Sequence, residues 1–299
     1  RQPSTAPSRF SVTVHVIDGG LSTELERLGA KIQGELWTGR ALLEDPALVA
    51  EAHRTFALAG AEVVISSSYQ LSRQGFEEIG LTAVDADEAL RQSIRVAKDA
   101  VAGTNAKVAA SIGPYGAVLH DGSEYRGVYE VGQAELEKFH AERLAVLLEE
   151  SPDYLAIETI PNVIEAKALA QVLKDVDVPK WFSFTAGSSE LLWSGEKVED
   201  AVREIADLPN LVAVGFNCVA PEFVAGLAER IKPLINAEII AYPNRGGTWD
   251  SAAGVWLGNA PRELASWLDE WIAAGVTWVG GCCSTDSRDI ASVKDVLGK

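Results

Sequence analysis

Eight short apolar runs alternate with longer amphipathic stretches along this 299-residue sequence. The runs are VTVHVIDGG, AEVVISSSYQ, KVAASIGPYG, DYLAIETIPN, KWFSFTAGS, LVAVGFNCVA, EIIAYPNRGG and TWVGGCC. Each is nearly continuously hydrophobic, the pattern of a strand covered on both faces and so of a parallel sheet. Between them lie helical patterns such as QAELEKFHAERLAVLLEE and APRELASWLDEWIAAG. Thr23 and Glu26 have the spacing of a capping box, which predicts a helix start just after the first run. Eight strands alternating with helices over about 250 residues plus insertions predict an α/β protein of the (β/α)8 TIM-barrel class. A doubly wound open sheet is the alternative, because alternation alone does not distinguish a closed sheet from an open one.

No break in composition marks a linker, so one domain is expected. Residues 1–11, polar and with two prolines, read as a flexible N-terminal segment, and residues 12–299 as the barrel. With 47% hydrophobic residues the chain can bury a large core. The balance of 26 Lys+Arg against 43 Asp+Glu, a net charge of −17, argues against a nucleic-acid partner, which would require a basic footprint. No apolar run is long enough to cross a bilayer, and no charged-then-apolar signal segment opens the sequence. Three cysteines do not make a disulfide framework, so the expected setting is a reducing cytoplasm. The longest irregular stretch, GPYGAVLHDGSEYRGVYE after the third run, reads as a loop of the kind that covers a site.

Residues able to do chemistry collect at the carboxyl ends of the runs. Asp18 follows the first; Ser66, Ser67 and Ser68 the second; Glu158 the fourth; Asn217 and Cys218 the sixth; Asn244 the seventh; Cys282 and Cys283 the last. In a parallel barrel these ends share one rim, where the active site is built. Any strand must end in something polar, which accounts for several of these residues, but cysteine is not a turn former. Three thiols on one rim suit Zn²⁺, which takes cysteine sulfur at about 2.3 Å and keeps a fourth position open when catalytic. Adjacent strand residues point to opposite faces, so Cys282 and Cys283 can meet one ion only if the chain bends, and Gly280–Gly281 are expected to supply that freedom. Two other readings stand beside zinc: small buried hydrophobes, or a strained redox-active vicinal disulfide. Of the histidines, His15 falls within the first strand, His53 and His140 on helices with expected surface positions, and His120 in the long loop.

The motifs DGGLSTELERLG, SSSYQ, SIGPYGAVLHDGSEYRGVY, ETIPN, GFNC and GGCC, in that order, resemble those of the homocysteine S-methyltransferases. The resemblance runs over nearly the whole chain, and GFNC followed by GGCC is its specific part. It implies a zinc-dependent (β/α)8 barrel that methylates the thiol of homocysteine to give methionine. It also implies Cys218, Cys282 and Cys283 as zinc ligands, and Asp18 and Glu158 around the substrate ammonium. The amides of Gly19 and Gly20, with Ser66 or Ser68, would hold the carboxylate, and Asn217 belongs to the same substrate set. The compact length and DGSEYRG are most similar to the S-methylmethionine-dependent branch, which includes selenocysteine methylators. The sequence departs from that branch after GGCC, where Ser284–Thr285 stand in place of a leading arginine. A sulfonium donor would be met by aromatic groups, for which Tyr69, Tyr115 and Tyr125 are candidates. Betaine- or selenocysteine-directed transfer, and a zinc- or thiol-sensing barrel without catalysis, are the competing functions.

Overall fold

The computed structural model describes residues 12–31, 37–119, 121–246, 248–250, 255–257 and 262–298; residues 1–11 and His120 lie outside them. The strands are β1 His15–Val16, β2 Val63–Ile65, β3 Lys107–Ile112, β4 Tyr154–Ile160, β5 Lys180–Phe184, β6 Leu211–Asn217 and β7 Glu238–Tyr242. A separate antiparallel pair, β8 Thr248–Asp250 and β9 Val255–Leu257, precedes the last, β10 Val276–Val279. The eight apart from this pair coincide with the eight apolar runs and form one sheet in the order β1-β10-β7-β6-β5-β4-β3-β2. Every pairing in it is parallel. The ends of that order meet through a parallel bridge between Ile17 and Val63. Glu62 N donates to Val16 O at 2.7 Å and Asp18 N to Val63 O at 3.1 Å. The sheet therefore closes, and the open-sheet alternative is excluded.

Two hydrophobic layers hold the barrel. Outward-facing Val64, Val108, Leu155, Phe182 and Val214 pack against the helix ring. The helix Ala83–Val101, for example, buries Ala86, Ala89, Leu90, Ser93, Ile94 and Ala97, a stripe at helical spacing. Inside the barrel, Ala109, Ala156 and Ala213 make room for the indoles of Trp181 and Trp278. The centroids of these rings lie 6.2 Å apart and each is 6.0 Å from Tyr154, while the His15 ring lies tilted against Trp278 at 4.7 Å. This aromatic layer fills the amino-terminal half of the barrel, and a cavity opens at the carboxyl ends. Among the described residues no helix is long and apolar enough to cross a membrane.

Two local expectations are corrected. The helix after β1, Leu21–Arg27, begins at Gly20, so Thr23 lies inside it and does not cap it. Its hydroxyl instead accepts from Ser284 N at 3.1 Å, binding this helix to the turn after β10. His53 and His140 are buried, at 0% and 1% exposure. His140 Nε2 bonds Glu165 at 2.8 Å, whereas neither ring nitrogen of His53 has a partner.

Burial alone lowers the His53 pKa to about 4. Between that value and about 6.5 the unfolded chain binds a proton that the folded chain refuses, so stability present above pH 6.5 is lost as pH falls toward 4. The loss from this residue is about 3 kcal/mol. His53→Leu should remove that slope. Urea unfolding of both proteins at pH 7.5 and 4.5 checks it, and equal pH dependence in the two would refute the neutral buried imidazole.

Candidate active site

A cavity of about 110 Å³ opens at the carboxyl ends of the strands. Nearly every strand contributes to it: Asp18 from the end of β1, Ser66 and Tyr69 from β2, Glu158 and Thr159 from β4, Asn217 and Cys218 from β6, Tyr242 from β7, and Cys282 and Cys283 from β10. Tyr125 arrives from the loop after β3. Seven positions expected from the sequence are thus gathered here, together with Gly19 and Gly20; Ser68 stands behind Ser66, outside the lining.

The three thiols converge. Their sulfurs all lie within 4.8 Å of one another, with Cys218–Cys283 at 3.8 Å and Cys218–Cys282 at 2.6 Å. A tetrahedron with metal–sulfur bonds of 2.3 Å has an edge of about 3.8 Å, so the wider pair already spans such an edge. As thiols they are held protonated: the contact with Cys218 and then burial push Cys282 well above its ordinary value. A bound cation reverses that preference, so the donor set fits a thiophilic metal, which would open the 2.6 Å Cys218–Cys282 pair by about 1 Å to reach such an edge.

Cys218 directly follows β6 at φ +50°, and Thr159 and Ser284 adopt φ +62° and +64°. Such left-handed conformations cost about 1–3 kcal/mol for residues with a side chain. Three of the five non-glycine examples among the described residues therefore sit in or beside the site. Between Gly280 and Thr285 the one positive φ is at Ser284, directly after the vicinal pair. Gly280 and Gly281 keep negative φ and serve another purpose than the one expected: a Cβ on either would collide with Ile17 or Thr285. The turn is fastened on all sides. Cys282 N donates to Pro243 O at 2.9 Å, Cys283 N to Asn244 Oδ1 at 3.2 Å, and Arg245 N to Cys283 O at 3.1 Å. Thr285, one of the two residues that depart from the resembling branch, donates from its hydroxyl to Cys282 O at 2.6 Å and accepts from Gly20 N at 3.0 Å.

Two buried carboxylates face the same space. Asp18 accepts from Ile65 N at 2.7 Å through Oδ2, while its Oδ1 is buried without a partner. Glu158 accepts from the hydroxyls of Ser111 at 2.5 Å and Tyr242 at 3.2 Å. Burial raises Glu158 to about 7 and, aided by the Glu158 charge, raises Asp18 as well. The other polar residues are already occupied. Ser68 donates to Ser111 O and pairs with Ser66 at 2.8 Å. Asn217 spends both ends of its amide on Thr159, at 2.7 Å each, holding that strained residue in place.

Tyr69 and Tyr125 line the cavity, and the Tyr125 hydroxyl lies 3.7 Å from Cys218 Sγ. Tyr115 does not reach it; this ring packs edge-on against Tyr129 and Phe139. The sequence does not single out Ser111, Thr159 or Tyr242 for the site, nor Thr285 as its fastening. Two-residue alternation could have found two of them, since Ser111 and Tyr242 follow the inward-facing Ala109 and Ile240 on their strands.

The sequence matches the family model "Homocysteine S-methyltransferase" over residues 15–297. Homocysteine S-methyltransferase 2 of Arabidopsis thaliana is 37% identical across 93% of this chain and 91% of its own length. Selenocysteine Se-methyltransferase of Brassica oleracea var. italica is 36% identical across 93% and 87%. The crystal structure of the Escherichia coli homocysteine methyltransferase MmuM in its metallated form superposes with a TM-score of 0.85 at 36% identity, covering 95% of this chain and 96% of that one. This chain belongs to the homocysteine S-methyltransferase family.

Proposed function

We propose that the chain transfers a methyl group from S-methylmethionine, and less readily from S-adenosylmethionine, to the thiol of homocysteine, giving methionine, with one zinc ion held by Cys218, Cys282 and Cys283. The observation that carries this reading is the meeting of three thiols within 4.8 Å beside two buried carboxylates at the open end of a closed barrel. Held by these three residues, zinc would supply the charge that favours the more nucleophilic thiolate of an incoming thiol, of pKa near 8.5 when free. The chain's own groups do the rest. Asp18 Oδ1, buried without a partner, and the Glu158 carboxylate receive the substrate ammonium, which relieves their mutual repulsion. Of the groups expected to hold the substrate carboxylate, the Gly20 amide is engaged by Thr285 and the Ser68 hydroxyl by Ser111. Gly19, beside the start of the helix at Leu21, therefore takes that part; the Ser66 hydroxyl, which accepts from Ser111 N at 3.1 Å and pairs with Ser68, joins it only by releasing Ser68. Tyr69 and Tyr125 flank the sulfonium, where a cation over an aromatic face gains about 0.5–2 kcal/mol. In the transfer a new S–CH3 bond forms on homocysteine as the donor C–S bond breaks, and its electron pair stays on the departing thioether.

The metal is the first test. One zinc per chain should be found by elemental analysis, and Cys282→Ala and Cys283→Ala should each lose both zinc and turnover. Full zinc and full rate in either variant would reduce the pair to packing.

Glu158 provides the second. Since it titrates at about 7 in the free cavity and must be ionised to hold an ammonium, kcat/KM for homocysteine should rise with pH through about 7. Glu158→Gln should lower kcat/KM by roughly 10- to 100-fold, the value of a charge-assisted bond. It should also flatten that limb with zinc content unchanged. Wild-type kinetics in this variant would remove Glu158 from the site.

The donor is the third. With homocysteine as acceptor, a methionine-formation assay should rank S-methylmethionine above S-adenosylmethionine and find betaine and methyl-folate unused. The same panel run with selenocysteine as acceptor measures how far the chain shares the activity named for its Brassica relative. Faster turnover from betaine than from S-methylmethionine would overturn the donor while leaving the thiol site standing.

A further inference from the structure

One buried charge has no part in this chemistry. Arg143, on the helix Gln133–Glu149, is 2% exposed. Its Nη1 donates to Gly113 O at 2.9 Å, and its Nη2 to Tyr69 O at 2.8 Å and Ser68 O at 3.1 Å. The Phe139 ring covers one face of the guanidinium at 5.1 Å. Burying a guanidinium is costly unless its geometry is used, and helix packing alone calls for an apolar residue here. The planar fork matches what the backbone presents. Beyond the last bonds of β2 and β3, two chain segments leave carbonyls unpaired, and a single rigid group spans both.

Tyr69 is the residue so gripped. Its ring lines the thiol cavity together with Cys218, and it lies so close over Gly113 that any Cβ there would collide with ring and carbonyl alike. The placement of Tyr69 relative to β3, together with its side-chain bond to Thr159, therefore decides where the ring stands. We infer that Arg143 is a positioning residue for the Tyr69 wall: by clasping the carbonyls of Ser68, Tyr69 and Gly113 from outside the barrel, it keeps that ring closed over the three thiols. A second cavity, of about 520 Å³, lies between Arg73, Tyr115, Phe139 and Glu142 and reaches Arg143 from the helix side. A free guanidinium ion thus has a path to the place of a deleted side chain.

The inference rests on the proposed methyl transfer only for its kinetic readout, because thiol access reports the wall directly. The chain's three cysteines are all in the site, so the rate at which 5,5′-dithiobis(2-nitrobenzoate) labels the full-length, metal-free protein measures how well it is covered. Arg143→Ala should label at least tenfold faster than wild type, and millimolar guanidinium chloride should slow it again while equal ammonium chloride does not. Tyr69→Ala should label faster too, and adding Arg143→Ala to it should change little, since both act through one ring. In the metal-loaded protein kcat/KM should fall and be restored by guanidinium in parallel. Arg143→Lys keeps the charge and stem, and should fold and label several-fold faster, because one ammonium cannot bridge both segments in that geometry. Wild-type labelling in Arg143→Lys, no response of Arg143→Ala to guanidinium, or additive effects with Tyr69→Ala would each overturn the assignment. Absence of turnover in every protein, with labelling as expected, would defeat the proposed reaction and leave Arg143 in its role.

Discussion

Holding three thiols, one buried and two half-buried, within 4.8 Å of one another is unfavourable once sulfur carries charge, and the backbone has to enforce it. The parts that do so come from opposite ends of the chain. Cys218 is fixed by a strained φ just beyond β6, with its carbonyl accepting from the Thr185 hydroxyl at 3.2 Å. The vicinal pair is fixed by bonds to Pro243, Asn244 and Arg245 on one side and, through Ser284 and Thr285, to Thr23 and Gly20 on the other. Those last bonds exist only because β1, the first strand of the barrel, lies beside β10, its last, so the thiol cluster depends on that pairing within the closed sheet. Strain of this kind persists where surrounding structure over-determines it, and here a closed sheet supplies the surroundings.

Closure also accounts for the electrostatics. The aromatic layer of Tyr154, Trp181 and Trp278 seals the cavity from below, and low polarity raises the proton affinity of every acid in it. Asp18, Glu158 and Cys282 all titrate above their ordinary values. No lysine, arginine or histidine is among the described residues that line it. A cavity so built is short of positive charge at three places: between the thiols, between the carboxylates, and beside the tyrosines. A metal, an ammonium and a sulfonium would answer them in turn.

Much of this is legible in the sequence, and for physical reasons. Continuous apolar runs report strands buried on both faces, and a cysteine at a strand end is seldom there to make a turn. Helical spacing also carries information that a surface placement of the histidines ignores. His53 lies four residues after Val49 and three before Phe56, and His140 four after Leu136 and four before Leu144, all of them buried. What could not be read were contacts that exist only when distant segments meet. The left-handed turn at Thr159 answers to Asn217, fifty-eight residues away. The clasp of Arg143 needs a helix from one unit against strand ends from two others. Gly280 and Gly281 look like hinges because glycine permits positive φ, yet their use here is to let Ile17 and Thr285 approach, a matter of neighbours and not of local conformation.

The same shortage of positive charge bears on the choice of donor. On the proposed reaction a thiolate and a sulfonium become two neutral thioethers, so opposite charges disappear as the methyl moves. A dry cavity favours that change, since separated charges are least well supported where polarity is low. A neutral donor such as a methyl-folate would have to create an anion in the same place. Betaine does lose a cationic charge on transfer, but its carboxylate stands one carbon from its ammonium and would be carried in beside Asp18, Glu158 and the thiols, where no cationic side chain among the described lining residues receives it. In S-methylmethionine three carbons separate the sulfonium from the carboxylate, enough to leave the anion toward the mouth of the barrel while the methyl reaches the sulfur. The physical distinction between these donors thus lies less in the cation they share than in where each must put its negative end.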